Sequence, residues 1–185
     1  MSRLRATLVA CVALVVSCGA ADAQYVLQGI AAEVRSGDQK DVITYSQVRE
    51  LTGAKDKEAT ETLKGMELVE KIKEIRAAAI KELIDRTLAL HQFKAAGRTV
   101  PDSFLDRRIE RIIRRDFGGD PAALTRALRD RGQTWEQFRN HEREEIALEE
   151  MRRDVTHSTA NVEEAQRLES EWLKKLRKSA YIKVY

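Results

Sequence analysis

The segment at residues 180–185 is rich in β-branched and aromatic side chains, and it constrains the fold more than any other part of the chain. A strand this short is not stable alone, so it needs a partner strand. Residues 26–34 and 42–45 are apolar and β-forming, and the polar, glycine-containing residues 35–41 between them are typical of a hairpin turn. The sequence therefore predicts that the two ends of the chain meet in one small antiparallel sheet.

Helical periodicity fills the chain between these ends. Apolar residues recur at three- and four-residue steps over residues 57–96, which predicts one long helix that stops at Gly97, a residue suited to a left-handed C-cap. Ser46 is predicted to cap an earlier helix that breaks near Gly53. Four later helix starts are marked by capping residues or proline: Pro101, Asp120, Thr134 and Asn161.

These patterns predict a mainly α fold, in which several helices are completed by a small antiparallel sheet. The sheet is formed by the N-terminal hairpin and the C-terminal strand. The last helix, predicted over residues 161–178, and the strand at 180–185 complete the same domain, which is predicted to span residues 24–185.

The first 23 residues have the layout of a secretory signal peptide. Arg3 and Arg5 precede an apolar run over residues 6–16, and small residues close in an Ala-x-Ala pattern before Gln24. The apolar run is too short to span a bilayer, which needs about 20 residues. We therefore expect residues 1–23 to be removed and the remaining chain to work outside the cytoplasm.

The same segment supports a second interpretation. Residues 15–18, Val-Val-Ser-Cys, also fit a bacterial lipobox, in which Cys18 is acylated and becomes the first residue. One acyl chain would tether the domain to a membrane without altering its fold. The chain is then either a soluble exported protein or a membrane-anchored lipoprotein of the envelope, and the sequence leaves both open.

The predicted domain lacks the residue arrangements that are typical of metal binding or nucleophilic catalysis. Both cysteines, Cys11 and Cys18, lie in the signal segment, so no thiol, disulfide or cysteine metal site is expected in the exported soluble form. The three histidines, at 91, 141 and 157, have no metal-ligand spacing. No Ser, Thr or Asp is placed as in a nucleophile elbow. We therefore expect no cofactor and no metal.

The charge balance argues against nucleic acid as a partner. The net charge of the whole chain is +3, and it falls to +2 without the signal segment, which contains Arg3, Arg5 and Asp22. Dedicated polyanion binders usually carry a larger excess of basic residues. Mixed charges at helical spacing are better explained as solvated faces with ion pairs.

Several stretches follow one another in the order and spacing of a known family. They are VITYSQV at residues 42–48, IKELID at 80–85, GRTVPD at 97–102, GQTW at 132–135 and WLKKLRKSAYIKV at 172–184. This pattern resembles the N-terminal domain of the SurA family, periplasmic chaperones that often also carry parvulin prolyl isomerase domains.

The resemblance implies a specific anatomy. In the family, an N-terminal block of helices is completed by a C-terminal helix and strand, and parvulin modules are inserted between them. The corresponding junction here, residues 155–161, is far too short for a parvulin fold. The resemblance therefore implies a SurA-type chaperone core without the isomerase, and we expect no enzymatic activity.

The function implied by the resemblance is that of an ATP-independent periplasmic chaperone that binds unfolded exported polypeptides, among them outer-membrane proteins. Two alternatives stay open: a structural or adaptor module of the envelope, and a protein grouped with prolyl isomerases by family membership alone. A homo-oligomer is compatible with each of them. Membrane contact is expected only if Cys18 is lipidated.

A chaperone of this kind needs accessible apolar surface. The candidates for a peptide-binding crevice are apolar side chains of the long helix and of the helices that follow it. They are Ile72, Ile75, Ile80, Leu83, Ile84, Leu88, Phe104, Leu105, Trp135 and Phe138. The competing interpretation is that most of them are ordinary core, because apolar helical faces usually pack inward.

Two features depart from the family pattern. Residues 55–73 are longer and more charged than the family usually shows, which indicates a projecting segment or another contact. Glu142 stands where an aliphatic residue is usual, four residues from both Phe138 and Ile146. Three explanations stay open: its carboxylate reaches solvent, it pairs with an arginine, or this face is wetter than in the family.

Overall fold

The structure is a computed structural model that describes residues 29–185. The predicted signal peptide, its cleavage point before Gln24 and the alternative lipidation site at Cys18 lie outside the described residues. None of the helices within residues 29–185 combines the length and the hydropathy that crossing a membrane requires.

The two ends of the described chain meet in one antiparallel sheet, as predicted. Strands β1 (Ile30–Ser36) and β2 (Gln39–Thr44) form a hairpin, and Gly37 in its turn has φ of 57°. That left-handed backbone conformation carries little penalty only in glycine. Strand β3 (Tyr181–Val184) pairs with the other edge of β1, which gives the order β2-β1-β3.

Six helices lie between the hairpin and β3 within the described residues. They are α1 (Tyr45–Thr62), α2 (Gly65–Ala95), α3 (Asp102–Asp116), α4 (Pro121–Asp130), α5 (Trp135–Thr156) and α6 (Val162–Ser179). The predicted caps at Asp120, Thr134 and Asn161 are confirmed, because each side chain accepts a hydrogen bond from a backbone N–H of the first turn. The mainly α fold with a small sheet is therefore confirmed.

Helix α1 differs from the prediction at both of its ends. The N-cap is Thr44 rather than Ser46, since Thr44 Oγ1 accepts from the Gln47 backbone and Gln47 Oε1 accepts from the Thr44 N–H at 2.8 Å. The predicted break near Gly53 is absent, and α1 continues to Thr62. The chain turns instead at residues 63–65, where Gly65 has φ of 60°. A single glycine costs a helix only about 1 kcal/mol, which packing outweighs.

The apolar side chains form three buried clusters. The first joins the sheet to α1 and α2 and contains Val34, Ile43, Val48 and Leu88, with Ile182 packed against it. The second joins α3, α4 and α5, and the third lies around Phe93 and Met151. Helix α2 contributes to the first and third clusters, so it is the central element of the fold.

Candidate functional site

Four of the ten predicted crevice residues are core residues in this structure. Ile84 and Leu88 are buried between α2 and the sheet, whereas Leu105 and Phe138 are buried in the separate cluster of α3, α4 and α5. Ile80 and Leu83 are half-buried and pack against the sheet cluster. These six side chains hold elements together and leave little surface for a ligand.

The other four are more accessible. Ile72 and Ile75 are half-buried on α2. Phe104 on α3 and Trp135 at the start of α5 are 54% and 46% exposed. The Trp135 ring lies 5.6 Å from that of Phe138, and the Arg107 guanidinium lies 4.4 Å above the Phe104 ring. The ten residues are thus distributed over two core clusters, half-buried helix positions and two exposed aromatic positions.

A cavity of about 550 Å³ lies between α1 and the first half of α2. Its apolar lining comes from both helices: Leu51, Ala59, Leu63, Ile75, Ala78 and Ala79. Charged side chains of both signs also line it: Lys55, Glu58, Lys71, Glu74 and Glu82. Apolar surface lined with mixed charge is the usual character of a groove that takes a peptide.

A second cavity, of about 460 Å³, lies against the next part of α2. It is bounded by α5 and α6 and includes Ala89, Leu148, Trp172 and Leu173. Both cavities are lined by Ala78 and Glu82, so they adjoin at these two residues. We name the joined depression the α2 trough, defined by the residues that line either cavity.

One side of α2 forms the floor of the α2 trough. Its lining positions include 71, 74, 75, 78, 82, 85, 86 and 89, and steps of three and four residues keep side chains on one side of a helix. Helix α1 forms a wall of the first half, and α5 and α6 border the second half. The trough therefore follows the helix axis for several turns.

Polar contacts fix the helices that border the α2 trough. The Trp172 indole N–H donates to Gln92 Oε1 at 2.7 Å, which ties α6 to α2. Arg177 of α6 forms an ion pair with both carboxylate oxygens of Asp85 on α2. The hydrogen bond to Asp85 raises the pKa of Arg177. The trough has a preformed shape at this end because its walls are held by directed bonds.

A second set of ion pairs joins α2 to α5. Arg86 donates to Glu145 and, at 3.1 Å, to Glu144. Burial lowers the pKa of Arg86, but the bonds to these carboxylates outweigh burial, and the pKa is raised. For Glu145, burial raises the pKa, but the bond from Arg86 outweighs it, and the pKa is lowered. The border between α2 and α5 is thus held by charges that stay ionised near neutral pH.

Glu142 pairs with an arginine, which is one of the arrangements predicted for it. Arg108 Nε donates to Glu142 Oε2 at 2.6 Å, and Arg108 Nη1 donates to Glu149 at 2.7 Å. Glu142 is buried, so its charge needs such a partner. The acidic residue in an aliphatic position therefore links α5 to α3.

The three histidines differ in their burial and contacts. His91 is buried, and its Nε2 lies 2.6 Å from Asp41 Oδ2, which connects α2 to β2. His141 and His157 are exposed. Within the part of the chain that the structure describes, no three His, Asp or Glu side chains come together in a way that could hold a metal ion.

Most residues that line the α2 trough are not among those predicted from the sequence. Among the ten predicted residues, only Ile75 lines it. The signal that could have located it is the pair Ala78–Ala79, because small side chains on a helix leave room for a neighbour or a ligand. That signal has no meaning without the position of α1.

A comparison with known protein families gives one match. The family model described as the SurA-like N-terminal domain matches residues 5–152, which is well over half of the chain. The chain belongs to this family. The matched region includes the hairpin, α1 to α4 and most of α5, whereas α6 and β3 follow it. No curated protein shows significant similarity to the chain.

Proposed function

We propose that the protein is an ATP-independent, chaperone-like peptide-binding protein of the periplasm, and that it holds unfolded exported polypeptides in the α2 trough. The observation that carries this proposal is the trough itself: two adjoining cavities with apolar lining and rims of both charges. Membership of the SurA-like family supports it, since that family is associated with binding unfolded proteins.

The trough suits an unfolded chain rather than one small ligand. Its apolar lining is spread over small and aliphatic side chains, so it offers contact area without a deep specificity pocket. Charged residues of both signs on the rim keep the surface soluble and accept varied client sequences. Trp172, half-buried beside Leu173, adds aromatic contact area at one end.

Ala78 provides the sharpest test, because it is exposed and lies where the two cavities adjoin. Ala78→Arg would fill the middle of the trough without removing a core side chain. We expect the variant to suppress aggregation of a denatured outer-membrane β-barrel protein only at a concentration about tenfold higher than the unmodified protein needs. The thermal unfolding midpoint should stay unchanged.

The matched control is Ala77→Arg, one residue away on α2 and exposed, but outside the trough lining. It adds the same side chain to the same helix. Equal loss of activity in both variants would show that added charge, not filling of the trough, is responsible. Full activity of Ala78→Arg would refute the site.

We further propose that the protein has no prolyl isomerase activity and binds without catalysis. The check is a proline-peptide isomerisation assay on the purified protein. A rate above that of the uncatalysed reaction, sensitive to protein concentration, would contradict the proposal.

Export to the periplasm remains part of the proposal, with the lipoprotein as the alternative. The two forms differ in their first residue, which is Gln24 after signal cleavage and an acylated Cys18 after lipidation. Mass spectrometry of the N-terminal peptide from the native host distinguishes them.

A specific observation favours one second candidate, an adaptor that docks on a single partner. Met66 is 72% exposed and Val69 is 43% exposed at the start of α2, beside the turn that joins α1 to α2. Replacement of both residues with Asp should abolish co-purification of a stoichiometric envelope partner if the adaptor function holds. Under the chaperone proposal, the same variant keeps its ability to prevent aggregation.

A further inference from the structure

The sheet exposes an unusual amount of apolar surface. Among the described residues, six exposed large apolar side chains lie in the sheet or directly beside it: Ile30, Val42, Tyr45, Tyr181, Val184 and Tyr185. Scattered single residues of this kind are normal on a protein surface, whereas a contiguous group marks a contact site. The α2 trough does not include any of them.

Within residues 29–185, helices cover only one face of the sheet. Val34, Ile43 and Ile182 point to the covered face and pack in the first core cluster. Alternation along the strands sends their immediate neighbours to the other face, whereas Val184 shares the face of Ile182 and is exposed there. The register confirms this, since Arg35 pairs with Tyr181 on β3 and with Lys40 on β2. We name this uncovered side the outer sheet face.

The outer sheet face is basic and aromatic. The Arg35 guanidinium lies 5.3 Å from the centre of the Tyr181 ring, and Lys183 Nζ lies 4.4 Å from that of Tyr185. Arg35 and Lys40 both contact one carboxylate, Glu33, at 2.8 Å and 3.2 Å. Lys183 is the register neighbour of Glu33 on β3. On the paired strand positions that the structure describes, three cations therefore share this face with the carboxylate of Glu33, which leaves positive charge available to an anionic partner.

Strand β3 also presents an open main-chain edge. The Tyr185 N–H donates to the Ala31 carbonyl at 3.0 Å, so it points toward β1. N–H groups alternate in direction along a strand, and those of Ile182 and Val184 therefore point away from β1. Within the described residues, β3 pairs with β1 alone. An unpaired edge of this kind is a template for an added strand.

We propose that β3 and the outer sheet face bind an extended polypeptide segment in which carboxylates alternate with apolar residues, by addition of that segment as a fourth strand. The main-chain edge supplies the hydrogen bonds. Lys183 and Arg35 attract the carboxylates on the outer sheet face, and Val184, on the opposite face of β3, contacts the alternating apolar side chains. Lysine on an edge discourages purely apolar strands, and for this reason the partner must carry acidic residues.

A second copy of the chain fits this edge less well. The outward N–H groups of Ile182 and Val184 pair with their own kind in an antiparallel ladder. The register that pairs residues 181–185 with their own copy therefore sets Lys183 opposite Lys183. Like charges directly opposite each other destabilise a strand pair. The outer faces of two copies would likewise bring excess positive charge together.

The test uses the purified protein and a blocked seven-residue peptide of alternating valine and glutamate. We expect this peptide to bind at least about tenfold more tightly than the same peptide with lysine in place of glutamate. We expect amide chemical-shift changes in NMR to concentrate at residues 181–185.

Two variants separate the main-chain contribution from the charge contribution. Val184→Pro removes an outward N–H at an edge position where proline is tolerated, and it should weaken binding about tenfold with unchanged thermal stability. Lys183→Glu leaves the edge intact and should reverse the preference, so that the lysine peptide binds better. Ala78→Arg in the trough should leave binding of either peptide unchanged.

Several results would overturn the inference. They are equal binding of both peptides, shift changes confined to the α2 trough, and retention of full affinity by a folded Val184→Pro variant. A peptide-free dimer that Val184→Pro dissociates would assign the edge to a second copy instead. Because Ala78→Arg affects the trough alone, the two proposals fail separately.

Discussion

Helix α2 has two sides that differ in what they contact. Ile84 and Leu88 are almost fully buried against the sheet. Ala78 and Glu82, about a third of a turn away around the helix axis, are exposed and line the trough. The buried side carries the stability of the fold, whereas the open side provides surface for contact. Substitutions on the two sides should therefore separate folding from binding.

The largest expected effect is on the buried side. Leu88 is 1% exposed, and Leu88→Ala should lower the free energy of unfolding by about 3 kcal/mol, from lost apolar contacts and the cavity that remains. Urea denaturation followed by circular dichroism measures this. Ala78→Arg on the open side should change it by less than about 0.5 kcal/mol. A similar loss in both variants would remove the distinction between the two sides.

The second-largest effect concerns the ion pair between Arg177 of α6 and Asp85 of α2. Arg177→Met keeps the aliphatic part of the side chain but leaves the largely buried Asp85 carboxylate without its ion-pair partner. We expect a loss of about 1–2 kcal/mol in the free energy of unfolding. Asp85→Asn and the double variant complete a mutant cycle. Strictly additive losses would show that the pair contributes nothing as a pair.

The sheet could be predicted from the sequence because the signals for each of its strands are local. Residues 180–185 have strand-forming side chains and cannot form a stable strand alone, so they needed the hairpin at the other end. The caps at Asp120, Thr134 and Asn161 are equally local, since each depends on a side chain within three residues of the helix start. These features did not require knowledge of tertiary contacts.

The trough could not be predicted in this way. Its existence depends on α1 running to Thr62 and the chain turning at Gly65. The sequence pattern predicts a break near Gly53 and one continuous helix over residues 57–96 instead. Position 84 has the same apolar character as position 75, and only the placement of the sheet decides that one is core and the other lines the trough. The outer sheet face likewise depends on which side the helices cover.

The pH dependence of stability should reflect the border between α2 and α5. Burial raises the pKa of Glu145, but its bond from Arg86 outweighs this and lowers the pKa below the ordinary value of 4.5. A carboxylate with a lowered pKa in the folded state stabilises the protein above its unfolded pKa and loses that contribution as the pH falls. We expect the loss to begin near pH 4.5 and to continue below it.

The control for this dependence is Glu145→Gln, which cannot ionise. Its free energy of unfolding should fall below that of the unmodified protein at pH 7, and the two should converge as the pH drops below 4.5. A constant difference across this range would assign the effect to packing rather than charge. We expect this effect to be smaller than that of Arg177, because Arg86 keeps Glu144 as an ion-pair partner after the substitution.

The smallest effects concern two glycines, one inside α1 and one at the turn that follows it. Gly53 lies inside α1 with open space where a Cβ would be, so Gly53→Ala should raise the free energy of unfolding by about 0.5–1 kcal/mol. Gly65 also has open space, but its φ of 60° penalises any side chain, so Gly65→Ala should lower it by about 1 kcal/mol. Urea denaturation of both variants compares them directly. Because neither glycine contacts another element, opposite signs would confirm that α1 is continuous through position 53 and that the chain turns at position 65, whereas two losses would place the break at Gly53 and remove the wall on which the trough depends.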